Sequence, residues 1–217
     1  MYSSFRSCAQ CRNREGAAAS SILLGHLLRR WVVRNNSEPR RPDVEEVYLV
    51  GGTEVRHLEV VAYDDRWPAI FNEHRLRLLE ALGTTDVDIE HIGSTSVPGL
   101  AAKPIVDIVI AVDDITAEED YLDALVAAGY PLRVREPGHR LVRTPDRDVH
   151  VHIYEKGDQA IANYLLFRDR LRSDRGDRDL YARTKESLIA QGFDDMNAYS
   201  DAKTEVVAAI MARAARR

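Results

Sequence analysis

The chain has 217 residues, 45% apolar and 30% charged, a balance that belongs to a folding domain and excludes a disordered or fibrous chain. With 35 acidic against 30 basic residues the formal net charge is −5, which excludes the basic surface of a general nucleic-acid binder. The two cysteines, Cys8 and Cys11, exclude a disulfide framework and point to a reducing, cytoplasmic setting.

Residues 1–54 differ in texture from the rest of the chain. A structural zinc needs four ligands, and Cys8, Cys11 and His26 offer three, so zinc is not expected there. The apolar stretch at 21–33 is too short to span a membrane and is interrupted by His26, Arg29 and Arg30. Residues 34–42 have the Asn, Ser, Pro and Arg content of a linker. The segment 1–54 is therefore expected to be a flexible extension, and 55–217 the folded unit.

Beyond it, 58–63 reads as a short strand. A helix is expected over 67–82, with Pro68 in its first turn and Gly83 at its end. Strands are expected at 87–92 and 104–112, then a helix over 117–128 closed by Gly129. Segments 130–135, 140–144 and 149–154 alternate between turn signals and read as antiparallel ribs. Helical periodicity returns over 159–171, 179–191 and 198–216. A mixed sheet (within 55–157) followed by a helical part (158–217) makes the class α+β.

Chemistry concentrates between the two strands at 87–112. Gly93-Ser94-Thr95-Ser96 supplies backbone N–H groups and hydroxyls suited to phosphate oxygens. Asp107 is a lone carboxylate in an apolar strand, costly to bury without a partner. Lys103, just before that strand, is placed either to reach a phosphate or to pair with Asp107. Along 148–154, His150, His152 and Tyr154 share one strand face, bringing two imidazoles within reach of a common ligand. Glu90 is a candidate second carboxylate, with Glu73 on a helix as a weaker one. In the helical part Arg168, Asp169, Lys185, Tyr199 and Lys203 are candidates, the last two on one helical face.

The string from Ile89-Glu-His-Ile-Gly-Ser-Thr-Ser-Val-Pro-Gly to Lys103-Pro-Ile-Val-Asp107 closely resembles the GrpB family. So do Tyr63-Asp-Asp-Arg-Trp-Pro-Ala-Ile-Phe71, the His150-Val-His152 strand and Phe167-Arg-Asp169. That family looks like part of the nucleotidyltransferase superfamily, whose signature is a Gly-Ser turn followed by Asp-x-Asp/Glu on the next strand. The resemblance implies a minimal nucleotidyltransferase sheet with a C-terminal helical bundle. It also implies that Gly93 and Ser94, with Thr95 and Ser96, hold a triphosphate and that Asp107 binds a divalent metal, Mg²⁺ or Mn²⁺. Arg168, Lys185 and Lys203 are further expected nucleotide contacts, and Lys103 is expected to neutralise developing charge. Some relatives are fused to dephospho-coenzyme A kinase.

One position departs from the signature: the second acid falls at residue 109, which is Val109. Either His150, His152 or Glu90 completes a different metal site, or the chain binds a nucleotide without transferring it. The expected function is thus transfer of a nucleoside monophosphate from a nucleoside triphosphate to a small acceptor. The alternative is a non-catalytic module for a nucleotide or a coenzyme A-like ligand. A two-histidine phosphoesterase is disfavoured, because no second His-x-Thr/Ser element comes after the first.

Overall fold

The computed structural model describes residues 39–52, 54, 59–83, 87–190 and 202–216. Cys8, Cys11, His26 and Tyr199 lie outside these. Among the described residues, no helix is long and apolar enough to cross a membrane.

Six strands form one mixed sheet: β1 (Tyr48–Leu49), β2 (Ile89–Ile92), β3 (Val106–Val112), β4 (Leu132–Glu136), β5 (His139–Arg143) and β6 (Val149–Glu155). Their order is β1-β4-β5-β6-β3-β2, and only the central β3–β6 pair is parallel. The helices are α1 (Trp67–Leu82), α2 (Leu122–Ala127), α3 (Gln159–Ser173), α4 (Arg175–Ala190) and α5 (Thr204–Ala214). The expected α+β plan, a mixed sheet followed by helices, is the one observed.

Strand alternation divides the helices between the two sheet faces. Val106, Ile108, Ile110, Val149, Val151 and Ile153 form a core with Trp67, Leu78 and Leu125 of α1 and α2. The opposite face carries Asp107, Val109, His152 and Tyr154, and α3 covers part of it through Tyr164. A further cluster of Leu171, Tyr181 and Ile210 seats α3, α4 and α5 on Val97 and Leu100, just past the Gly-Ser turn.

Local signals explain most boundaries. α1 ends where Gly83 adopts φ 64° and its N–H reaches the carbonyls of Leu79 and Glu80. α3 starts where the Asp158 carboxylate accepts from the Ala160 N–H at 2.7 Å. Over 117–128 the expected helix is shorter, with a 3-10 turn at Glu118–Asp120 before α2. The strand expected at 58–63 appears as an isolated bridge between Val61 and Ala102.

The end of the stretch expected to be an extension lies against the sheet. β1 pairs with β4, and Glu54 accepts from Arg143 at 2.6 Å. Asp43 and Glu118 each accept from the buried Arg140 guanidinium at 2.6 Å. A buried arginine needs such partners, so Asp43, β1 and Glu54 are tied to the sheet by charge as well as by pairing.

Candidate functional site

The β2–β3 connection places a tight turn against a carboxylate. In register, Ile92 pairs with Asp107, so Gly93 leaves β2 directly beside that side chain. Gly93 has φ 72°, and a Cβ there would stand 2.5 Å from Asp107 Oδ2. Only glycine permits both the dihedral and the approach. The turn is then closed from within: the Ser96 hydroxyl donates to the Gly93 carbonyl at 2.6 Å, and the Thr95 hydroxyl donates to the Ile105 carbonyl at 3.0 Å. His91 Nε2 lies 3.1 Å from that Thr95 oxygen, and its ring stacks on Phe71. Burial pushes the His91 imidazole down to about 4, so it is neutral at physiological pH.

Parallel register delivers the histidines. Asp107 pairs with His150 and Val109 with His152 across β3–β6. Asp107 Oδ1 lies 3.7 Å from His150 Nδ1 and 3.6 Å from His152 Nε2. His152 Nδ1 is 3.3 Å from His139 Nε2, and His139 Nδ1 is 2.8 Å from Glu136 Oε1. A continuous polar chain, Asp107–His152–His139–Glu136, thus runs beneath Tyr154 and Tyr164. Burial alone would raise the Asp107 carboxyl. His152, with His150 and His91, outweighs burial and holds it below the usual carboxylate range.

The helices supply cations. Lys185 Nζ donates to Ser94 Oγ at 3.2 Å and to the Ala101 carbonyl, and sits 4.9 Å from the centroid of the Tyr181 ring. Lys203, just before α5, is buried as deeply. Burial, reinforced by the nearby Lys203 charge, pushes Lys185 down to about 7. Burial likewise takes Lys203 to about 8, offset in part by Asp107. Two buried lysines near a Gly-Ser turn and Asp107, poised to take up protons when negative charge arrives, make a receptor for an anion.

The turn, the Asp107 strand, the histidine strand and both lysines fall within a match to the family model described as GrpB protein, over residues 57–213. The chain belongs to the GrpB family. A UPF0157 protein of Streptomyces coelicolor is 64% identical over 83% of this chain and 96% of its own length. The crystal structure of the conserved protein GrpB from Enterococcus faecalis superposes with a TM-score of 0.63 at 31% identity, covering 72% of this chain and 96% of that one. A dephospho-CoA kinase of Mycolicibacterium paratuberculosis is 30% identical over 65% of this chain, a region that makes up 42% of the kinase.

Within this GrpB fold, Gly93, Ser94, Asp107, His150, His152, Lys185 and Lys203 come together. Thr95 and Ser96 belong to the turn, but their hydroxyls bond inward. Lys103 is half-buried in the preceding loop; the lysine bonded to Ser94 is Lys185 from α4. Arg168 donates to Glu90 at 2.6 Å, to the His91 carbonyl and to Asp169, so it braces β2 from α3. Glu90, the more exposed partner of that pair, stands opposite Val109 in register, one strand-repeat along from the Ile92–Asp107 pair. Glu73 is exposed on α1, bonded to Arg77. Sequence reasoning missed Tyr181, which lies four residues before Lys185 on one helical face. It also missed His139 and Glu136, joined to the site only by sheet register.

The donor set does not form a metal cage. Among the described residues, no three His, Cys, Asp or Glu side chains are arranged to hold an ion. Position 109, where a second acid would stand, is a valine packed with Ile92, Tyr154 and Tyr164.

Proposed function

We propose that this chain binds a nucleoside triphosphate between the Gly93–Ser94 turn and the α4–α5 end of the helical part, and transfers its nucleoside monophosphate to a small acceptor. The observation that carries this reading is Lys185 bonded to Ser94, with Lys203 buried beside it and Asp107 opposite. Phosphate oxygens are the common anions that match a Gly-Ser turn flanked by two ammonium groups. In the reaction, an acceptor oxygen bonds to the α-phosphorus, the α–β bridging bond breaks, and pyrophosphate leaves with the electron pair. The acceptor proton passes to the carboxylate–imidazole pair of Asp107 and His152. Lys185 and Lys203 stabilise the charge that gathers on the departing pyrophosphate.

A second reading has its own support in Val109. Without the paired acid, the same pocket serves a binding module for a nucleotide or a coenzyme A-like ligand, a class to which the dephospho-CoA kinase relative lends weight. Incubating the protein with each nucleoside triphosphate and a mixture of small metabolites separates the two. Transfer yields pyrophosphate that Asp107→Asn abolishes, whereas a binding module gives thermal stabilisation with no pyrophosphate.

A further inference from the structure

We infer that this pocket grips polyphosphate directly through Lys185 and Lys203, with no divalent cation bridging phosphate to protein. The inference rests on the nucleotide-binding reading and deepens it by naming what meets the phosphate charge.

Three independent features of the pocket lead there. Charge comes first. Among the described residues, two buried lysines stand near the Asp107 carboxylate, in a space where His91 is neutral and Glu90 is engaged by Arg168. Glu186, the acid acting on Lys185, is exposed on α4. An anion entering beside these lysines favours their protonated forms, so the pocket suits an anion better than a dication.

The shape of the carboxylate site comes second. Asp107 Oδ2 lies against Gly93, 2.5 Å from where a Cβ would be, and Oδ1 is faced by both imidazoles at 3.6 and 3.7 Å. A hard cation such as Mg²⁺ retains several waters and needs open coordination sites around its carboxylate. Here Oδ2 is packed against the Gly93 backbone and Oδ1 faces two imidazoles, with no second carboxylate beside them among the described residues.

Third is the neighbour two residues along the strand. Val109 is 2% exposed and packed beneath Tyr154 and Tyr164, so the position that would complete a paired-acid clamp is part of the apolar core. Asp107 instead lies against the two imidazoles and acts electrostatically on Lys203.

Isothermal titration of the full chain with inorganic tripolyphosphate tests this, in EDTA and again with excess Mg²⁺. Binding is expected in EDTA without any metal, and excess Mg²⁺, which chelates the ligand and lowers its charge, should not strengthen it. Lys185→Met and Lys203→Met should each weaken binding in EDTA by about 10-fold or more. Asp107→Asn should tighten it, because the negative charge facing the anion is gone. Circular dichroism of each variant confirms that it is folded, and if Lys185→Met does not fold, Lys203→Gln supplies the same comparison. Binding that requires Mg²⁺, or that Asp107→Asn abolishes, overturns the direct grip while leaving the nucleotide reading intact. No tripolyphosphate binding in either buffer overturns both.

Discussion

Asp107 and Gly93 are one device. The turn residue has no side chain because Asp107 Oδ2 occupies that volume, and its φ of 72° is one that L residues rarely adopt. Gly93→Ala should therefore destabilise the fold by ~1–3 kcal/mol, read from the urea midpoint, and displace Asp107 enough to abolish pyrophosphate release. The two lysines carry a pH signature. Unfolded, they hold their protons to near 10.5; folded, they release them at about 7 and about 8. Between those values the unfolded chain binds more protons, so the stability of the ligand-free protein should rise as pH goes from 7 to 9. It should be lost as pH falls back through the folded values. Urea unfolding at both pH values checks this, and Lys185→Met should flatten the dependence. The glycine and the carboxylate were both legible in the sequence, since each is costly without a structural reason. Lys185 was legible as one candidate among several, but its burial and its bond to Ser94 were not. A buried lysine and a solvated one look alike on a helix until the partner element is in place.

At the scale of elements, the site depends on how α3, α4 and α5 are tied together. Asp177 at the start of α4 accepts from Arg170 of α3 at 2.6 Å and from Arg213 of α5 at 2.5 Å. Burial alone would raise its carboxyl, yet the two guanidinium groups hold it below the usual range. Asp177→Ala leaves Arg170 with Asp174 as its remaining ion-pair partner and should cost ~1–3 kcal/mol, seen as an early thermal transition of the helical part. Helix limits were legible where caps decide them, as with Pro68 and Gly83 for α1. They were misplaced where a side chain overrides composition. The Ser173-Asp174-Arg175-Gly176 run reads as a break, but the Asp174 carboxylate accepts from the Asp177 N–H at 2.9 Å and starts α4 at Arg175. The 3-10 turn before α2 arises similarly, since Glu118 is held by Arg135 and Arg140.

Across the whole molecule, one sheet separates two kinds of interior. The α1–α2 face is mainly apolar, with His74 bonded to Tyr130, whereas the face toward α3 admits Asp107, His150, His152 and, beyond them, the lysines. Period-two alternation in the sequence was enough to place His150, His152 and Tyr154 on that second face. It said nothing of what covers the face, because that is a long-range matter: Lys185 reaches Ser94 across 91 residues. His139 and Glu136 were hidden for the same reason, being joined to His152 only through the β5–β6 and β4–β5 registers. The pocket between turn and helices is tested most directly by a crystal structure of the chain grown with a non-hydrolysable nucleoside triphosphate. The expected result is triphosphate oxygens about 3 Å from Ser94 Oγ, Lys185 Nζ and Lys203 Nζ. Nucleotide bound elsewhere, or this pocket left without it at saturating concentration, would contradict the account.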